Sequence, residues 1–136
     1  MQRYVEELAA LGVAPPSTVP LYYRVDAGLL RGASAIAVMG SDTSGEVEAV
    51  LVALADELWV GLGSEHTDRA AGATSVALSK QLCRKPTAGE LWCFDEVADH
   101  GDELTLRAHR VEAGEHKVYE EGTLAAMRPP HDLIGC

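Results

Sequence analysis

Read for its apolar and polar positions, the chain divides into many short segments rather than a few long ones. Residues 3–11 carry Val5, Leu8 and Leu11 at helical spacing, and Gly12 follows as a natural stop. That pattern predicts a short amphipathic helix. The proline-rich APPSTVP must be extended. PLYYRV (20–25) predicts a short strand, 27–30 one helical turn before Gly32, and SAIAVMG (34–40) a second short strand. SDTSG (41–45) reads as a turn. Residues 46–54, EVEAVLVAL, predict a strand that is apolar on both faces after its first residues. ELWVGLG (57–63) is its hairpin partner across the Ala55-Asp56 turn.

SEHTDRAAGATSVALSKQL (64–82) reads as a loop leading into a helix. GELWCFDEV (89–97) and ELTLRAHRV (103–111) predict strands. Gly114 marks a turn, and HKVYEEG (116–122) returns as the paired strand. The tail RPPHDLIGC starts a helix after Pro130. No repeat, low-complexity tract or linker interrupts the 136 residues, so the expectation is one α+β domain, mainly β with few short helices, spanning 1–136. Aromatics make up only 5% of the chain, so Val, Leu, Ala and Ile are expected to build the core.

Charge narrows the function. Against 11 basic residues stand 21 acidic ones, a net charge of -10. Such a surface repels phosphate backbones and makes nucleic acid a poor partner, while it suits a site that collects a cation. Cys83, Cys93 and Cys136 are odd in number and lack C-x-x-C spacing. They read as free thiols in a reducing cytoplasm, not as a disulfide framework or a zinc knuckle. No apolar run reaches the ~20 residues needed to span a bilayer, and the N-terminus has no signal-peptide core. A cytoplasmic protein without a membrane partner is expected.

The most informative chemistry is Glu46-Val47-Glu48. In a strand, residues i and i+2 share a face, so the two carboxylates project side by side, followed by Val50, Val52 and Leu54. Two neighbouring acids at the end of an apolar strand repel, and partial burial raises at least one pKa. A hard cation such as Mg²⁺ or Mn²⁺ removes the conflict. The competing reading starts the strand at Val50 and leaves both glutamates in water.

GSEHTDR (63–69) packs two acids, a histidine, a hydroxyl and an arginine between apolar stretches, where sites are often built. Taken alone, the segment reads more simply as an exposed polar turn with Asp68 capping a helix. Lys80 follows an apolar run, where it is either a proton-handling group or an ordinary helix-end lysine. His66 is a candidate ligand, whereas His100, His109, His116 and His131 read as surface residues. The chain lacks a G-x-S-x-G elbow, a P-loop and a G-x-G-x-x-G turn.

Taken in order from about residue 20 to 133, these segments resemble the core domain of the fumarylacetoacetate hydrolase superfamily, and more narrowly a bacterial branch of it. PLYYRV resembles that family's "FFLKP", SGEVEAVLV its "YEVELAVVI", SEHTDRA its "NDVSARD", SKQLCRKP its "KGFDTFCPLGP", and YEEGTLAAM its "RQDGNTSDM". The resemblance implies a mixed β-roll, usually dimeric, with Mg²⁺ or Mn²⁺ held by three carboxylates. Glu46, Glu48 and Glu65 fall on the metal-ligand positions. Lys80 falls on the active-site lysine, with Thr67 and Arg69 on the hydroxyl and guanidinium positions.

It further implies a small 2-oxo or 1,3-dicarbonyl acid as substrate. The reaction would be C–C hydrolysis, decarboxylation or isomerisation. The third ligand here is glutamate instead of the family's aspartate, about 1.5 Å longer in reach. No histidine precedes His66 to serve as the family's lid base. The family's C-terminal Gly-Thr-Pro loop has no counterpart before Cys136. The chain is thus expected to be truncated at both ends relative to that family. The alternative is a non-catalytic relative serving as a binding or structural domain.

Overall fold

The computed structural model describes residues 21–127 and 129–134. The expected helix at 3–11, the extended 14–20 and Cys136 lie outside the described residues. Within them the fold is mainly β, with a mixed sheet and few short helices.

The strands are β1 (Leu30–Arg31), β2 (Thr43–Ser44), β3 (Val47–Leu54), β4 (Glu57–Ser64), β5 (Thr67–Asp68), β6 (Lys85–Cys93), β7 (Thr105–Glu112) and β8 (Glu115–Thr123). The short helices are α1 (Arg69–Gly72), α2 (Val76–Gln81), α3 (Phe94–Val97) and α4 (Pro130–Ile134). The main sheet has the order β1-β6-β4-β3; β1 and β6 run parallel and the other neighbours antiparallel. Two small antiparallel pairs, β2-β5 and β7-β8, complete the fold. No helix among the described residues is long and apolar enough to cross a membrane.

The β3–β4 hairpin forms as expected from its two apolar strands and the Ala55-Asp56 turn. Its two-residue turn is Ala55-Asp56, with Ala55 at φ 53, the left-handed backbone that tight hairpins need. β7 and β8 pair across Ala113-Gly114, both again at positive φ. The helices also start for local reasons. Asp68 Oδ1 accepts the Ala71 N–H at 2.9 Å to cap α1, and Ser75 Oγ accepts the Leu78 N–H at 3.3 Å to cap α2.

Four expectations need correction. Residues 21–26 join no strand ladder; Leu21 and Tyr22 are exposed, and Asp26 instead caps a 3-10 turn at Ala27–Leu29. Only Leu30–Arg31 reaches the open edge of β6. Residues 34–40 form no ladder, and Met39 is 85% exposed; without a partner edge, apolar alternation makes no strand. The strand placed at 89–97 begins earlier, at Lys85, and ends at Cys93, where Asp95 and Glu96 favour the first turn of α3. The 41–45 turn contains β2, whose partner β5 lies within the expected loop.

The core also differs from its expectation. Residues 47–52 of β3 are half-buried, and Cys83 is the one buried hydrophobic side chain among the described residues. The most enclosed residues include Thr67, Ser79, Cys83 and Lys85, each 5% exposed or less. They surround the Glu65 segment, so the tightest packing lies beneath the candidate site.

β4 runs through the middle of this sheet with glycine at 61 and 63, and strands close in on both. A Cβ at Gly63 would stand 2.7 Å from Val50 Cγ2 and 3.3 Å from the Pro86 carbonyl. Gly63→Ala should therefore destabilise the fold by about 1–3 kcal/mol through overpacking. A lower urea midpoint at unchanged slope is the expected reading; an unchanged midpoint would mean the neighbours yield freely.

Candidate metal centre

The hairpin register assembles the centre. Starting from the Ala55-Asp56 turn, β3 and β4 pair residue for residue up to Val47↔Ser64. One step further the Glu65 N–H donates to the Glu46 carbonyl at 2.9 Å, and the Glu46 N–H donates to Ser64 Oγ at 3.2 Å. Directly opposed residues share a face of an antiparallel pair, so Glu65 joins Glu46 and Glu48 there. Opposite Glu48 stands Gly63, which has no side chain to compete for the space. One carboxylate oxygen from each of Glu46, Glu48 and Glu65 lies within 4.8 Å of the others.

Cations from the next elements enter this cluster. Arg69, which opens α1, places Nη2 2.5 Å from Glu46 Oε1 and donates from Nε to Ser44 Oγ at 2.5 Å. Lys80, in the last turn of α2, puts Nζ 2.6 Å from Glu65 Oε2 and 4.0 Å from Glu46 Oε2. Its side chain is only 14% exposed, so the reading of Lys80 as an ordinary surface lysine does not hold. Glu48 accepts no hydrogen bond and makes no salt bridge among the described residues. Burial pushes its carboxyl from 4.5 up to about 7; Glu65 and Glu46 add to the rise, Lys80 opposes it, and Glu120 contributes last.

An open cleft of about 430 Å³ leads to Glu46 and Glu48, walled also by Arg69, Tyr119, Glu120 and Met127. Glu65 and Lys80 are not on its wall and meet it through Glu46. Thr67 does not line it either. Its buried hydroxyl donates to the Glu65 carbonyl at 3.1 Å and so steadies that segment. His66 pairs its Nε2 with the Thr43 hydroxyl at 3.1 Å; burial first, then Lys85 and Arg69, hold its pKa below the usual range. It belongs to the support of the site and is not one of the clustered ligands. His100, His109 and His116 are exposed, as expected. Burial raises the Cys83 thiol, which disfavours a reactive thiolate there.

Two residues of the site escaped the sequence reading. Lys85, at the start of β6, is 5% exposed and donates from Nζ to the His66 carbonyl at 2.5 Å. Burial pushes its pKa down; Glu65 opposes this and Lys80 adds to it. Glu120, on β8, accepts the Val47 N–H at 3.2 Å and so ties the second hairpin to the first. Neither position carries a periodic signal, because each depends on how separate elements meet.

Over residues 1–136 the chain matches the model of a family described as proteins of unknown function, DUF2848. The chain belongs to the DUF2848 family. No curated protein and no solved structure matches it. The donor set of this DUF2848 chain suits a hard divalent ion: three carboxylates, all oxygen, converge on one point. Two oxygens bound to one ion at 2.0–2.6 Å stand at most about 4–5 Å apart, so the observed spacing fits with little adjustment.

The unpaired Glu48 sets a pH dependence for the metal-free protein. Its folded pKa lies above its unfolded value, so its contribution favours the fold below about 4.5 and is lost as pH rises through about 7. Glu48→Gln removes that loss. At about pH 8 it should stabilise the metal-free protein by on the order of 1–3 kcal/mol, and at about pH 4 the two proteins should melt together. Calorimetric melting across this range decides it; an advantage independent of pH would refute the assignment.

Proposed function

We propose that this DUF2848 chain is a divalent-metal-dependent enzyme of the fumarylacetoacetate hydrolase type. It acts on a small 2-oxo or 1,3-dicarbonyl acid by C–C hydrolysis, decarboxylation or isomerisation. The observation that carries this reading is the convergence of Glu46, Glu48 and Glu65 with a sheltered Lys80 at the head of a cleft. The order of its motifs along the chain, which resembles that family's, supports the same reading.

Glu46, Glu48 and Glu65 would hold Mg²⁺ or Mn²⁺. When bound, the ion supplies Lewis acidity toward the oxygens of an oxo acid. Lys80 lies within 4.0 Å of two of the acids, behind Glu46 as seen from the cleft, and in this reading would assist by hydrogen bonding or by moving a proton at those acids. Arg69 fixes the rotamer of Glu46 through its bond at 2.5 Å. Tyr119 and Met127 give the cleft an apolar wall against which a small carbon skeleton can pack. Exposed Leu62 and Trp92 on the main sheet, and Val111 and Val118 on the second hairpin, are the surfaces a homodimer would cover.

A second reading is a binding or structural domain without turnover. Arg69 and Lys80 favour it, since they already neutralise Glu46 and Glu65. Titration calorimetry with Mg²⁺ and Mn²⁺ separates these accounts. Wild type should bind, and Glu46→Gln and Glu48→Gln should each bind at least about tenfold more weakly, the loss of a strong ligand. Equal affinity in all three proteins rejects the metal centre. Turnover of an acylpyruvate or oxaloacetate that disappears in Lys80→Ala rules out the second reading. Light scattering should give twice the 14.5 kDa chain mass; a monomer at all working concentrations would reject the dimer.

A further inference from the structure

Lys85 is the most enclosed charged side chain among the described residues, and nothing in the proposed chemistry uses it. Its Nζ donates to a neutral acceptor, the His66 carbonyl, at 2.5 Å. A buried ammonium held mainly by a backbone carbonyl is costly, and such groups persist where the bond serves a purpose. The bond's location supplies the purpose. His66 directly follows Glu65, in the two-residue link between β4 and β5.

That link is pinned from several sides. The Glu65 N–H donates to Glu46, the Glu65 carbonyl accepts from Thr67, and the His66 ring meets Thr43. These partners lie on β2, on β5 and at Glu46 just before β3, and Lys80 on α2 holds the Glu65 carboxylate itself. Lys85 comes from β6, which pairs with β4 in the main sheet, and anchors the backbone of the link to that sheet.

We propose that Lys85 is a positioning residue: its ammonium clamps the His66 carbonyl and thereby holds the Glu65 carboxylate at the metal centre. The functional half of this inference rests on the metal-dependent reading; the clamp itself does not.

Lys85→Met keeps the length and the burial and deletes the donor. Two effects then oppose each other. Removing a positive charge near Glu65 and Glu46 would by itself tighten cation binding. Releasing the Glu65 segment would loosen it, and loss of an outer support of a ligand weakens metal binding about ten- to a hundredfold. The proposal therefore predicts weaker Mn²⁺ binding by the folded variant, read by electron paramagnetic resonance well below its melting temperature. A merely structural lysine would lower the melting temperature and leave the affinity of the folded protein alone. Unchanged or tighter Mn²⁺ binding overturns the proposal.

A second readout needs no metal. Amide exchange at Glu65 and Thr67 should accelerate about tenfold or more in Lys85→Met, as local opening becomes easier, while the β7–β8 amides keep their rates. Uniform acceleration across the chain would overturn the clamp. If wild type binds no Mn²⁺, the metal reading falls, and the exchange experiment still judges the clamp. Should the variant not fold, wild type is read directly. Lys85 Nζ protons in slow exchange, with a scalar correlation to the His66 carbonyl carbon, are expected. A freely exchanging ammonium without that correlation overturns the proposal.

Discussion

The site depends on one register. Because the turn between β3 and β4 holds two residues, Glu65 meets Glu46 at the open end of the hairpin, backbone to backbone at 2.9 Å. A slip of one residue would turn Glu46 and Glu48 to the opposite face and separate them from Glu65. The close strand approach at Gly61 and Gly63 holds the register, since any side chain there meets Leu91 or Val50 at 2.7 Å. The acids are thus brought together by strand pairing and not by mutual attraction, which for three carboxylates has the wrong sign.

That imposed crowding explains the polar layer underneath. The enclosed positions are threonine, serine, cysteine and lysine, not leucine or valine. An aliphatic layer would leave the Glu65 and His66 carbonyls without donors, at a cost of about 1–3 kcal/mol for each buried group. Thr67 and Lys85 satisfy these two carbonyls, and Ser79 turns its hydroxyl back to Val76 at 2.7 Å. Rigidity here comes from satisfied hydrogen bonds in a medium of low dielectric, where each bond counts for more than at the surface. The sheet above it remains half-exposed.

Much of this was legible in the sequence, for identifiable reasons. The apolar runs in 46–63 and the turn residues at 55–56 and 113–114 gave both long hairpins, because local pattern and turn chemistry agree there. Glu65 was reached only through the family resemblance, and the observed register sets it opposite Glu46. Residues 21–26 and 34–40 have strand composition but join no ladder, and single-sequence pattern does not report which segments find a partner. Phe94 ends β6 only because acids at 95 and 96 favour a helical turn. Lys85 and Glu120 were invisible because burial and reach across elements are properties of packing. The family resemblance pointed to Glu65, Lys80, Arg69 and Thr67; the fold brings Lys80 and Arg69 against the acids, and the Thr67 hydroxyl bonds the Glu65 carbonyl.

The charge count separates this cluster from the ion pairs elsewhere on the molecule. On the second hairpin, Arg107 pairs with Glu121, and Arg110 and Lys117 both reach Glu112. These side chains are exposed to 44% or more, so each such pair contributes little. At the hairpin end Glu46 pairs with Arg69 and Glu65 with Lys80, while Glu48, on the cleft wall, has no ion-pair partner among the described residues and burial raises its pKa to about 7. A half-buried carboxyl without a counter-ion is costly to ionise, whereas the two acids beside it are held by Arg69 and Lys80. The proposed cation would meet in Glu48 the one of the three acids that lacks an ion-pair partner among the described residues, with Glu46 and Glu65 already fixed in orientation by theirs.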